Sequence, residues 1–214
     1  MCHSDVDGTL TETNELIFAT FNYVAEKYLN KRFTPAEITA MFGPPEEVAV
    51  ERFVGSARFP AAIADFFDFY KSNLRSMAKL HPGMDEILRF LKEKKLLLAV
   101  FAGKGSHSTE ITLQELGVRW YFDMIVTGQD VVNHKPSSEG IRKVMDRFSL
   151  HPDEVLMIGD AVADVKAAHE AGIPIAAVVW DSYAKEKVMN METDHLFHDV
   201  KELYQWLRQV LEEN

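Results

Sequence analysis

Two kinds of hydrophobic patterning divide the chain. Over residues 13–79 apolar side chains recur at helical spacing and strand-like runs are missing. Ile17, Phe21, Val24 and Tyr28 share one helical face, as do Ile63, Phe66, Phe67, Tyr70, Leu74 and Met77. Thr34-Pro35-Ala36-Glu37 has the form of a capping box, with Thr34 at the N-cap, Pro35 at the first helical position and Glu37 reaching back. Gly43-Pro44-Pro45 ends one helix and lets another begin. This stretch reads as a small helical bundle. After His81-Pro82-Gly83 the pattern alternates: a helix over 87–91, a strand over 96–101, a helix over 110–116, and so on to a last helix over 200–211. Such alternation predicts a doubly wound parallel sheet covered on both faces, an α/β core into which the bundle is inserted.

Acidic residues stand where that sheet would end. Asp5-Val6-Asp7-Gly8-Thr9 places two carboxylates on the same side of an extended chain, where they repel unless a cation lies between them. Alone, an Asp-Gly turn explains them equally well. A second cluster, far along the chain, adds weight. The apolar run Val155-Leu156-Met157-Ile158 leads into Gly159-Asp160, and Asp164 follows in the first turn of a helix. Asp164 by itself could simply be an acid favoured by the helix dipole. Together the two acidic strand ends predict an oxygen-ligand site for a hard divalent cation, Mg²⁺. Between them, after the apolar strand ending at Thr127-Gly128, Lys135-Pro136 precedes a helix starting near Ser137 or Ser138. A lysine there can neutralise a bound phosphate together with the metal.

Asp5-x-Asp7-Gly8-Thr9, Lys135-Pro136 and Gly159-Asp160-x-x-x-Asp164, in that order, resemble the haloacid dehalogenase superfamily of phosphohydrolases, in its helical-cap, phosphoglycolate phosphatase-like branch. The resemblance spans essentially the whole chain. It implies a Rossmann-like catalytic core of residues 1–12 and 80–214 with a cap of residues 13–79. It also implies an Mg²⁺-dependent phosphohydrolase acting on a small phosphorylated metabolite. On this resemblance Asp5 is the nucleophile that forms an aspartyl-phosphate, and Asp7 is the acid and base. Lys135 steadies Asp5 and the phosphoryl oxygens. Asp5, the Asp7 carbonyl and Asp160 hold the metal, with Asp164 orienting it, and Thr9 and the 102–104 segment meet the phosphate.

Two features depart from that family. Ala102 stands where members carry a Ser or Thr whose hydroxyl bonds the phosphoryl group, and losing one such donor typically costs about 10²–10³ in rate. Ser106, Ser108 or the Gly103 and Lys104 amides are the candidates to replace it. Only Met1-Cys2-His3-Ser4 precede Asp5, a short and polar first strand for a sheet centre. Either the strand is curtailed or the natural chain starts earlier. Thr13-Asn14-Glu15 and Gly43-Pro44 also look like pyrophosphatases of the same branch, so inorganic pyrophosphate is an alternative substrate. A weakly active or inactive paralogue that binds a phosphorylated ligand or a protein is another.

Composition narrows the partners. A formal charge of -10 argues against nucleic acid or an anionic membrane, and means that metal and lysine must draw an anionic substrate in locally. One cysteine precludes an internal disulfide framework. No secretory signal or long apolar run appears, so a cytoplasmic monomer or homodimer is expected. Twelve aromatic residues fall within 13–79, and these are read as bundle core, with Phe42 and Phe53 as candidates to line a pocket or a dimer face. Arg52 and Lys71 are the cap cations to watch for recognition of a substrate carboxylate. The histidines, His195 and His198 included, show no ligand spacing.

Overall fold

The computed structural model describes residues 1–212. The chain begins with β1 (Cys2–Ser4) and β2 (Thr11–Glu12). Four helices follow: α1 (Asn14–Leu29), α2 (Pro35–Thr39), α3 (Glu46–Val54) and α4 (Phe59–Met77). After β3 (Lys79–Leu80) come α5 (Met84–Glu93), β4 (Leu98–Phe101), α6 (Ser106–Glu115), β5 (Met124–Val126), α7 (Glu139–Phe148), β6 (Leu156–Gly159) and α8 (Val162–Ala171). The chain closes with β7 (Ile175–Val178), α9 (Lys185–Met189), β8 (His195–Phe197) and α10 (Val200–Glu212).

Six strands form one parallel sheet in the order β5-β4-β1-β6-β7-β8. Strand faces alternate, as an extended chain requires. In β4, Leu98 and Val100 pack with Ile87, Leu91 and Leu203 from α5 and α10, whereas Ala99 and Phe101 pack with Ile141, Val144 and Val165 from α7 and α8. The sheet is therefore buried on both faces, the arrangement expected from the alternating pattern. Because the chain winds outward in both directions from β1, the order reverses there, and open sheets hold ligands in the crevice beyond such a switch point. Among the described residues, no helix is long and apolar enough to cross a membrane.

The bundle forms as its spacing predicts. Phe21 meets Phe66 edge to face with ring centroids 5.2 Å apart, and Phe33 meets Phe53 in the same way at 5.3 Å. At α2 the capping box is complete: the Glu37 N–H donates to Thr34 Oγ1 (3.3 Å) and the Thr34 N–H to Glu37 Oε2 (2.8 Å). Lys79, expected at the end of the helical stretch, instead pairs with Glu12 in a two-residue antiparallel ladder, Thr11 opposite Leu80, so short strands carry the chain into and out of the bundle. A two-residue strand carries too few side chains for a period to show.

Strand β1 is short and polar, yet it lies at the sheet centre. His3 pairs in register with Ala99 and Met157, is fully buried, and neither imidazole nitrogen has a hydrogen-bond partner among the described residues. Burial, helped by the N-terminal ammonium and Lys135, holds its pKa down at about 3. An unsatisfied buried polar group costs about 1–3 kcal/mol, so His3→Ile, apolar and β-branched, should raise stability by about 1 kcal/mol or more. The sign of the pH effect follows from a depressed histidine. Above pH 6.5 neither state is charged, and below it the unfolded chain takes up a proton that the folded one refuses until about pH 3. The advantage of His3→Ile should therefore widen as pH falls from 6.5 towards 4, measured by denaturant melts; a constant or shrinking gap would show that His3 is not held neutral.

Candidate active site

Two strand ends, those of β1 and β6, meet at the switch point. Asp5 directly follows β1, and its N–H donates to the Ile158 carbonyl of β6 at 3.0 Å. The turn beyond it is closed by Leu10 N–H to Val6 O (2.9 Å) and Gly8 N–H to Thr11 O (3.0 Å). Gly8 has φ +79°, and a Cβ there would lie 2.6 Å from Asp160 Oδ2. Both backbone and space thus require glycine. Asp160 follows β6 and accepts from the Thr9 hydroxyl at 2.9 Å. Asp164, in the first turn of α8, accepts the Ala161 N–H with Oδ2 at 3.0 Å, which is the capping role open to it from sequence. Its Oδ1 faces Lys135. The Lys135 ammonium donates to Asp164 Oδ1 and to Asp5 Oδ1, each at 2.7 Å, and lies 4.7 Å from the centre of the Phe101 ring.

Carboxylate oxygens of Asp5, Asp160 and Asp164 lie within 4.8 Å of one another. Burial pushes the Asp5 carboxyl up to about 7; Lys135 opposes this, and the charges of Asp164 and Asp7 add to it. Asp160 is raised well above the usual range by burial, then by Asp5 and Asp164. Burial alone would lower Lys135, but Asp164 and Asp5 outweigh it and the ammonium stays charged. An all-oxygen set of crowded, buried carboxylates matches the donor chemistry of a hard divalent cation, whose charge would relieve the repulsion.

Asp7 turns elsewhere. Its Oδ1 accepts from the Thr13 hydroxyl (2.6 Å) and the Lys104 ammonium (2.9 Å), so its side chain is not part of the three-carboxylate group. Lys104 also donates to Tyr70 Oη (2.9 Å) and Thr112 Oγ1 (3.1 Å). Burial pulls its pKa down, and Asp7 and Tyr70 more than offset this. From sequence Lys104 is a candidate for its backbone amide; in the fold its side chain reaches Asp7. Ala102 contributes a methyl group to the core, and its N–H is taken by the Val126 carbonyl at 2.9 Å. Thr9 is buried with its hydroxyl on Asp160. Ser106 donates to Gln129 and Ser108 to Glu46, so both candidate substitute hydroxyls already have acceptors. Gly103 and Lys104 line a cavity together with Asp5, Asp7, Lys135 and Asp160.

The cap closes that cavity. Glu46, buried at the start of α3, accepts from the Gly105 N–H (2.7 Å) and from Ser108, while Gln129 donates to Glu47 at 2.8 Å. Tyr70 and Thr112 share a hydrogen bond of 2.8 Å between α4 and α6. Glu46, Tyr70 and Tyr183 were not anticipated as site residues. Tyr70 carried only the signal of a bundle-core position, and Glu46 that of an acid at a helix start. Of the candidates in the cap, Phe42 lines the cavity, whereas Phe53 packs inside the bundle against Phe21 and Phe33. Arg52 and Lys71 are exposed and do not line it.

Residues 4–178 match the family described as haloacid dehalogenase-like hydrolase. Pyrophosphatase PpaX of Oceanobacillus iheyensis is 27% identical over 201 residues, covering 93% of this chain and 92% of its own. Among solved structures, a predicted phosphoglycolate phosphatase of Haemophilus somnus superposes with a TM-score of 0.82 at 21% identity, covering 97% of each chain. CbbY of Rhodobacter sphaeroides, solved with phosphate, gives a TM-score of 0.80 at 21% identity over 94% of this chain and 95% of that one. The family match runs from the residue before Asp5 to the end of β7 and so takes in every acidic strand end and the whole inserted bundle; this chain belongs to the haloacid dehalogenase-like hydrolases.

Proposed function

We propose that the protein is an Mg²⁺-dependent phosphohydrolase that releases phosphate from a small phosphorylated metabolite through an aspartyl-phosphate on Asp5. The observation that carries this reading is the pairing of Asp5 with Lys135 on one oxygen only. Lys135 occupies Oδ1. Oδ2 remains to attack phosphorus, so a bond forms from Asp5 to phosphorus as the ester bond to the leaving oxygen breaks. Asp7, also lining the cavity and held through its Oδ1 by Thr13 and Lys104, has Oδ2 available to protonate the departing oxygen. The resulting carboxylate then takes a proton from the water that cleaves the intermediate, which returns Asp5 to its starting form. Asp5, Asp160 and Asp164 would hold the metal, which would supply positive charge to the phosphoryl oxygens when bound. Lys135 adds positive charge beside Asp5, and the closed cap keeps competing water out.

A second reading, inorganic pyrophosphate as substrate, is favoured by the PpaX relative, whose name states that activity. The same residues would serve, with phosphate as the leaving group.

Asp5→Asn should abolish phosphate release, below about 10⁻³ of the parent rate, and prevent labelling of the protein by a ³²P-phosphorylated substrate. Parent-like turnover would rule out the covalent route. The same substitution has a second consequence without metal. A carboxyl raised from 3.8 to about 7 contributes stability that is complete below pH 3.8 and lost as pH climbs through about 7. Metal-free Asp5→Asn should therefore melt higher than the metal-free parent at pH 8, the difference closing as pH falls towards 4, and added Mg²⁺ should raise the parent's melting temperature more than the variant's.

Asp160→Ala should shift the Mg²⁺ activation curve at least about 10-fold to higher concentration, in line with loss of a metal-site carboxylate. The exposed Glu93→Ala should leave it in place. Superimposable curves for the parent and Asp160→Ala would remove Asp160 from the ligand set.

A further inference from the structure

The chamber between cap and core has a chemistry of its own. It encloses about 180 Å³, and away from the acidic strand ends its wall is apolar, built by Ile17, Phe21, Met41, Phe42 and Phe66 of the bundle and Tyr183 of the core. Its charges are unbalanced. Five carboxylates face it, those of Asp5, Asp7, Glu46, Asp160 and Asp164, against the two ammonium groups of Lys104 and Lys135. Both lysines are already committed, Lys104 to Asp7 at 2.9 Å and Lys135 to Asp5 and Asp164 at 2.7 Å each. Among the described residues no arginine lines the chamber, and the one charged side chain that the bundle sends into it, Glu46, is an acid.

From this we propose that the chamber selects phosphate monoesters whose leaving group is uncharged and apolar, a ring or a short hydrocarbon chain, and disfavours a leaving group that is itself an anion. The proposal rests on the phosphohydrolase reading and names the substrate class for the same site. A divalent cation, when bound, and Lys135 would serve the phosphoryl group. A second negative charge, whether the carboxylate of phosphoglycolate or the second phosphate of pyrophosphate, would be buried against phenylalanine and methionine beside two lysines that are already paired with carboxylates, a costly placement. An apolar group gains from the same burial. Size agrees: an apolar cavity of roughly 150 Å³ accepts benzene, so a chamber of this volume that also receives the phosphoryl group has room for about one ring or a few carbons.

Phe42 and Tyr183 mark the entrance. Each lines the chamber yet keeps 40% and 43% of its surface exposed, and the two rings meet edge to face at 5.7 Å, one from the cap and one from the core. Tyr183 also contacts Phe18 at 5.6 Å. An aromatic pair spanning the two layers gives an entering ring a face to stack on, and its one hydrogen-bond donor, the Tyr183 hydroxyl, is already given to Asn14.

The test is a comparison of kcat/KM for the full chain with saturating Mg²⁺ on benzyl phosphate, n-butyl phosphate, phosphoglycolate and pyrophosphate. The three esters release alcohols of similar basicity, so differences among them report binding of the leaving group more than its reactivity. Benzyl and butyl phosphate should exceed both dianionic-plus-anion substrates by about 10-fold or more, mainly through lower KM. Phe42→Lys, at a partly exposed position that tolerates a long side chain, should move the benzyl phosphate to phosphoglycolate ratio at least about 10-fold towards phosphoglycolate. A parent that prefers phosphoglycolate or pyrophosphate overturns the chamber assignment and leaves the phosphohydrolase reading standing, as does a ratio unmoved by Phe42→Lys. Absence of both turnover and ³²P labelling on every compound overturns the phosphohydrolase reading and the chamber assignment together.

Discussion

One ammonium group holds the crevice together. Lys135 sits 2.7 Å from both Asp5 and Asp164, and without it three carboxylates would crowd one buried point with only the neutral donors Thr9 and the Ala161 N–H to offset their repulsion. Even so the compensation is partial, because Asp5 and Asp160 both remain raised. The site is thus prepared for a further positive charge. Its shape is held by features that have no charge at all: Gly8, which leaves room for the Asp160 carboxylate, and Gly159, where a Cβ would come within 2.5 Å of Asp164 Cβ. Removing Lys135 would strand buried carboxylates, the situation in which breaking a buried pair costs most.

A second ion pair ties the chemistry to the cap. Lys104 leaves the loop after β4, reaches Asp7, and on the way donates to Tyr70 of α4 and Thr112 of α6. The position of the acid/base candidate is therefore coupled to the bundle through Lys104, and through Thr13 at the start of α1. Glu46 makes a parallel link, accepting from the first residues around α6. Both links cross from bundle to core, Glu46 buried and Lys104 half-buried against the buried Tyr70 and Thr112, so the arrangement is specified by polar contacts, while the aromatic wall between them supplies the chamber's apolar character.

Much of the architecture was legible in the residues. Alternating apolar runs gave the sheet and its covering helices, because a strand buried on both faces must be continuously apolar. Thr34 and Glu37 announced the start of α2 through local hydrogen-bonding chemistry alone. Asp5 and Asp160 stand out at strand ends, Asp164 in the first turn of the helix that follows and Lys135 between the two acidic clusters, and the structure brings all four to one point. The first strand was harder to read. His3 and Ser4 look wrong for a sheet centre, and only pairing with β4 and β6 on either side, which satisfies the backbone, explains how so short and polar a segment occupies it.

The sequence by itself determined the fold class, the inserted bundle and the identity of the acidic cluster, since these follow from periodicity and from the order of residues along the chain. Tertiary structure alone decided which partner each charge takes. Lys104 pairs with Asp7, 97 residues away, Glu46 turns to the loop before α6, and Arg52 and Lys71 point to solvent while Phe42 faces the chamber. These choices depend on how a helix face is rotated and how closely two layers approach. Local propensity is blind to both, because the distances involved are created only when the bundle packs on the sheet.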